Sequence, residues 1–107
     1  MTTVNVRRDE RGVCGLCVSG HAGYAQSGSD IVCAAASVLI TTCANAMESV
    51  AKVTPVLEVS QEPARIAVSL PKALSPECEH DARLVLQTCL TGFEDIAAQY
   101  PKYLQII

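Results

Sequence analysis

Two residues in one short stretch have side chains suited to nucleophilic catalysis. His21 lies in Gly20-His21-Ala22-Gly23-Tyr24-Ala25, and Cys33 follows in Asp30-Ile31-Val32-Cys33-Ala34-Ala35. Gly28-Ser29-Asp30 offers a flexible approach and an N-cap oxygen, so Cys33 should occupy the third position of a helix. A thiol in a first helical turn feels the partial positive charge of the helix N-terminus, which favours the thiolate. An imidazole nearby can take the proton and return it to a leaving group. Backbone N–H groups at the helix start would then stabilise an oxyanion. Ser37, one turn beyond Cys33 on the same face, could hydrogen-bond near the sulfur. The segment His21–Ser29, with Ala22, Gly23, Tyr24, Gly28 and Ser29, has no apolar period and reads as a glycine-containing loop that can fold back over the helix start.

Plainer readings stand beside these. Cys33 can be a small core residue and His21 an exposed loop residue, because an isolated His/Cys pair is a weak motif. Asp30 reads first as a helix cap and second as an orienter of His21. The other histidine, His80, sits in the charged run Glu77-Cys78-Glu79-His80-Asp81 and reads as solvated surface. Zinc is the rival chemistry: Cys14-Gly15-Leu16-Cys17 is a C-x-x-C that His21 and Cys33 would complete. However, Val13 to Val18 reads through that motif as a strand, and residues three apart on a strand point to opposite faces. A thioredoxin-like pair needs its first Cys at a helix N-terminus, whereas Cys17 leads into Val18-Ser19-Gly20 and a loop. No metal and no cofactor are therefore assigned.

The elements that must position this pair follow from periodicity. Thr3–Arg8 and Val13–Ser19 alternate around the turn Asp9-Glu10-Arg11-Gly12 and read as a hairpin, with Cys14, Leu16 and Val18 together on one face. Asp30 to Lys52 reads as a helix with apolar or small residues at Ile31, Ala34, Ala35, Val38, Leu39, Ala46 and Val50, stopped by Thr54-Pro55. Val56–Ser60 and Ala64–Leu70 form a second strand pair, with Ala64, Ile66, Val68 and Leu70 on one face. Ser75-Pro76-Glu77 is a strong helix start. That helix runs to about Tyr100, burying Ala82, Leu86, Cys89, Leu90, Phe93, Ile96, Ala97 and Tyr100. Tyr103 to Ile107 closes as a strand. The order ββα-ββα-β predicts an α+β domain over 1–107, a mostly antiparallel sheet with two long helices packed on it.

Composition narrows the function classes. The chain has 107 residues, a net charge of −3, no Trp and one Phe, so neither a basic groove nor a base-stacking platform for nucleic acid is expected. The apolar run around Ile31–Ile40 is too short to cross a bilayer. Met1 to Glu10 lacks the apolar stretch of a signal peptide, so a cytoplasmic location is expected. The six cysteines then read mostly as reduced core residues rather than a disulfide framework.

Gly20-His21-Ala22-Gly23-Tyr24-Ala25, joined to Gly28-x-Asp30-Ile31-Val32-Cys33-Ala34-Ala35-x-Ser37, closely resembles the signature of the ribosomal-processing cysteine protease family (Prp, YsxB-like). The likeness extends to the length, the element order and the closing Tyr-Pro-x-Tyr-Leu-x-Ile of Tyr100 to Ile106. The resemblance implies a homodimeric cytoplasmic endopeptidase with Cys33 as nucleophile and His21 as general base. Gly20 would let the backbone approach the substrate, and Ser37 would support the site. Its implied substrate is the Leu/Phe-rich N-terminal extension of large-subunit ribosomal protein number twenty-seven. A non-catalytic ribosome-biogenesis factor is the alternative, separable by an ordinary, slowly alkylated Cys33; a zinc module would show bound metal.

Overall fold

The structure, a computed structural model, describes residues 1–26 and 28–107; Ser27, which the sequence counts with the loop, lies outside them. The elements are β1 (Thr2–Asp9), β2 (Gly12–Ser19), α1 (Ile31–Ser49), β3 (Val56–Gln61), β4 (Ala64–Ser69), α2 (Pro76–Gln99) and β5 (Leu104–Ile106). The expected ββα-ββα-β order and α+β class hold. The sheet runs β3-β4-β2-β1-β5. Its pairs are antiparallel except β1 with β5, where Thr2 to Val4 run parallel to Leu104 to Ile106.

A bulge corrects the expected face of β2. Arg7 pairs with Gly15 but Arg8 pairs with Val13, so Cys14 is an extra residue in the ladder. The bulge shifts the alternation, and Val13 and Leu16, three apart, are both buried. Cys14 therefore drops out of the face it was expected to share with Leu16 and Val18.

The two helices lie against the sheet and against each other. The second behaves as its sequence indicates. Ser75 Oγ accepts from Cys78 N–H at 3.2 Å, Pro76 begins the helix, and Ala82, Leu86, Cys89, Leu90 and Phe93 are buried. Ile96, Ala97 and Tyr100 are partly buried against the same core. Its N-terminal part, through Glu79 and Arg83, is tied to the first hairpin by charge. Arg83 donates to both carboxylate oxygens of Asp9 at 2.9 Å, and Glu79 bridges Arg83 and Arg11. The hydrogen bond from Arg83 holds the Asp9 carboxyl at about 2.

The first helix departs from expectation in three ways. Its buried stripe is Val32, Ala36, Ile40, Cys43 and Met47, whereas Ile31 and Val38 of the expected stripe are 52% and 65% exposed. The cause is that apolar and small residues surround this helix, so periodicity cannot select a face. The buried residues, at i, i+4, i+8, i+11 and i+15, include the long Ile40 and Met47 side chains, which fill the space over the sheet. The helix also ends before Thr54-Pro55. Lys52 takes φ 60° and Val53 N–H donates to the Met47 carbonyl at 2.8 Å, a left-handed cap without the usual glycine. Finally, Ile31–Ser49 has a mean hydropathy of 1.5 over an 18-residue window and is long enough to span a membrane by length and composition. It is longer than the ten-residue run seen in the sequence, and here it packs on β2, β4 and α2 as a core helix.

All six thiols are free, but only Cys43 and Cys89 are buried; the other four are half-buried. The expected burial of most of them does not hold.

Candidate active site

Asp30 organises the site. Its Oδ1 accepts from Val32 N–H at 3.0 Å and Cys33 N–H at 2.9 Å, which starts α1. Its Oδ2 accepts from Tyr24 N–H at 3.0 Å and Ala25 N–H at 3.4 Å, which folds the preceding loop back over the helix start. These donors, led by the Cys33 N–H, lower the Asp30 pKa against a buried setting that raises it. The carboxylate's partners are the helix and the loop, which is the capping role; His21 is not among them.

The folded-back loop brings a donor to the sulfur: Ala22 N–H points at Cys33 Sγ, 3.2 Å away. Ala22 is buried, whereas His21, its neighbour, is exposed and Cys33 is half-buried. The sulfur thus has a directed backbone N–H and the N-terminus of α1 beside it. Val32 N–H and Cys33 N–H, the helix-start donors expected for an oxyanion, are already taken by Asp30. A further donor beside the sulfur, Ala22 N–H, comes from the loop.

Two cavities meet at the thiol, and His21, Cys33 and Ser37 line both. The larger, about 590 Å³, runs under the loop past Gly23, Ala25, Gly28 and Asp30. The smaller, about 130 Å³, lies toward the sheet, with Val18, Ile40 and Ile66 as apolar wall and Thr2, Gly20 and Arg65 at its edges. Among the described residues no hydrogen bond joins Ser37 to the thiol, so its place is as cavity wall.

Gly20 sits where a side chain has no room. Its φ is +81°, and a Cβ there would come within 2.7 Å of the Met1 carbonyl oxygen. It links the end of β2 directly to His21. Of the other loop residues named from the sequence, Gly23 and Gly28 also have positive φ, and Ser29 N–H donates to the Gln26 carbonyl at 2.9 Å.

The residues of the rival metal set do not assemble. Among the described residues no three His, Cys, Asp or Glu side chains come together as ligands, and Cys14 and Cys17 lie on the continuous strand β2. His80 is exposed, with Nδ1 3.2 Å from Asp81 Oδ1. What the sequence missed is the sheet's contribution: Thr2 from β1 and Ile66 from β4 reach the thiol's cavity. Only strand register, which no local motif encodes, places them there. Tyr100 and Tyr103, from the far end of the chain, also reach the loop through the Tyr24 ring.

Comparisons with known proteins match the chain to one family. Residues 1–105 match the family model described as cysteine protease Prp. The chain is 26% identical over 107 residues to the ribosomal processing cysteine protease Prp of Bacillus subtilis, covering 99% of this chain and 96% of that one. It is 28% identical over 108 residues to the protein of that description from Staphylococcus aureus, covering 99% and 97%. The crystal structure of the essential ribosomal processing protease Prp from S. aureus, in complex with a covalently linked product peptide, superposes with a TM-score of 0.87. There the identity is 25% and the coverage 99% of this chain and 97% of that one.

Proposed function

The chain belongs to the Prp family of cysteine proteases, and on that premise we propose that it removes the N-terminal extension of large-subunit ribosomal protein number twenty-seven. Cys33 is the nucleophile and His21 the general base. The observation that carries this reading is the meeting of both side chains on the same two cavities, with a backbone N–H aimed at the sulfur.

The Cys33 sulfur, its proton passed to His21, attacks the scissile carbonyl carbon and forms a tetrahedral intermediate. Ala22 N–H, already 3.2 Å from the sulfur, is the donor nearest the oxygen on which charge develops. The C–N bond then breaks, His21 returns the proton to the leaving amine, and a thioester to Cys33 remains. Water, deprotonated by His21, hydrolyses the thioester and restores the thiol. The apolar wall of Val18, Ile40 and Ile66 suits a Leu or Phe side chain of the extension beside the cut.

Work of this kind belongs in the cytoplasm, where ribosomal proteins are made, and the net charge of −3 suits a basic partner. Exposed apolar side chains at Ile31 and Val38 of α1 and Leu57 and Val59 of β3 support a homodimer, which would cover them.

The test is a peptide spanning the extended N-terminus, incubated with the protein, with Cys33→Ala and with His21→Ala, and read by product mass. One cut after the apolar segment, lost in both variants, is expected. Binding without cleavage by the unaltered protein would overturn the reading.

A further inference from the structure

The loop that carries His21 is held by a third attachment besides the thiol and Asp30. The Tyr24 ring packs edge-on against two rings from the other end of the chain. The Tyr100 centroid lies 5.6 Å away at 87°, and the Tyr103 centroid 5.1 Å away at 79°. Edge-to-face contacts at such distances are attractive beyond the area they bury.

Those two rings stand on a fixed base. Tyr100 caps α2, with its N–H donating to the Ile96 carbonyl at 2.8 Å, and Tyr103 N–H donates to the Tyr100 carbonyl at 3.0 Å. Tyr103 is joined in turn to β1, because Thr2 N–H donates to its carbonyl at 2.9 Å. Tyr24, by contrast, belongs to a stretch without regular structure and is 41% exposed. Among residues 21–26, only Ala22 is buried. The tyrosine ring is therefore the chief apolar anchor of the loop outside Ala22.

We propose that Tyr100 and Tyr103 are positioning residues for the protease: through Tyr24 they hold the loop so that the Ala22 N–H stays on the Cys33 sulfur and His21 stays on the cavities it shares with Cys33. This rests on the assignment of Cys33 and His21 made above. Without the ring contacts, the loop spends more time away from the thiol, and turnover falls by the fraction of molecules that are open. Neither tyrosine lines the cavities at Cys33, so the loss should appear in kcat and in thiol reactivity, with the substrate contacts of the smaller cavity intact.

The experiment is steady-state cleavage of the extension peptide by the full chain, by Tyr24→Leu, by Tyr103→Leu and by the double variant. Iodoacetamide alkylation of Cys33 is followed in parallel. Tyr103→Leu should lower kcat roughly three- to tenfold, the size of one lost edge-to-face contact. Tyr24→Leu, which loses the contacts to both Tyr100 and Tyr103, should lower it further; both should slow alkylation. The double variant should be no worse than Tyr24→Leu, because that change already removes the contact to Tyr103. Tyr103→Phe, which keeps the ring, should restore the rate. Losses that multiply in the double variant, or an unchanged kcat in Tyr24→Leu, would overturn the proposal. If Tyr103→Leu does not fold, Tyr24→Leu against Tyr24→Phe decides alone, since that ring lies in the loop. Failure of the unaltered protein to cut the peptide would instead strike the catalytic assignment.

Discussion

Replacing Gly20 by Ala should damage stability and turnover together, for separable reasons. The backbone there has φ +81°, where a Cβ costs about 1–2 kcal/mol. The new Cβ would also meet the Met1 carbonyl oxygen at 2.7 Å, with Met1 C at 3.8 Å and Thr2 Cα at 4.0 Å. Relief requires Met1 to retreat. That pulls on Thr2, whose N–H donates to Tyr103 and which pairs with Leu104; losing the hydrogen bond costs about 0.5–1.5 kcal/mol. A total of about 2–3 kcal/mol corresponds to a fall in Tm on the order of 10 °C for a domain of this size. Gly20 is bonded to His21, so a displacement approaching 1 Å at the imidazole should lower kcat by up to roughly a hundredfold. Gly12→Ala is the control. Its φ is +120° with nothing within 4 Å of the added Cβ, and it lies in the β1–β2 turn. It should lose stability without losing turnover. Thermal melts and peptide cleavage on both variants provide the comparison. A Gly20→Ala protein that melts and cuts like Gly12→Ala would refute the close approach to Met1 as the reason for glycine.

Asp30→Ala removes the acceptor of four backbone N–H groups. It should lower Tm, free the loop and slow cleavage, with Asp30→Asn in between; equal Tm and rate in all three proteins would contradict the clamp. Asp9, held at about 2 by Arg83, gives a pH signature. Its folded pKa lies below the unfolded value of about 3.9. The contribution to stability is therefore full above about pH 4 and is lost as pH falls toward 2. Arg83→Gln should flatten that part of the stability profile measured by urea unfolding, and an unchanged acid limb would count against the bridge. Phe93, fully buried, should cost about 3–5 kcal/mol when replaced by Ala, read as a lower urea midpoint; a loss under 1 kcal/mol would mean that the core there collapses around the gap.

The order of elements was legible because each carries its own local signal: alternation in β1 and β4, Ser75-Pro76 at the start of α2, and Asp30 before α1. The face of α1 was not, since Ile31, Ala34 and Val38 are as apolar as Val32, Ala36 and Ile40, and only the sheet beneath distinguishes them. The bulge at Cys14 was hidden for a similar reason: it is a property of pairing between strands. At the site, His21 with Cys33 is a weak pair by spacing alone and stood out only through the resemblance of the whole signature; the capping Asp30 was readable. The occupied N–H groups of Val32 and Cys33 were not, although a cap implies them. Nor was the approach of Thr2, Ile66, Tyr100 and Tyr103, which depends on strand register and on where α2 ends.

The most direct test of the central claim is where a substrate-directed electrophile lands among six thiols. The protein would be treated with a chloromethyl ketone built on the apolar extension peptide, then mapped by peptide mass, beside His21→Ala. The account requires one label per chain, on Cys33, formed much more slowly without the His21 imidazole. Label spread over Cys14, Cys17 and Cys78, or a Cys33 rate indifferent to His21, would contradict it.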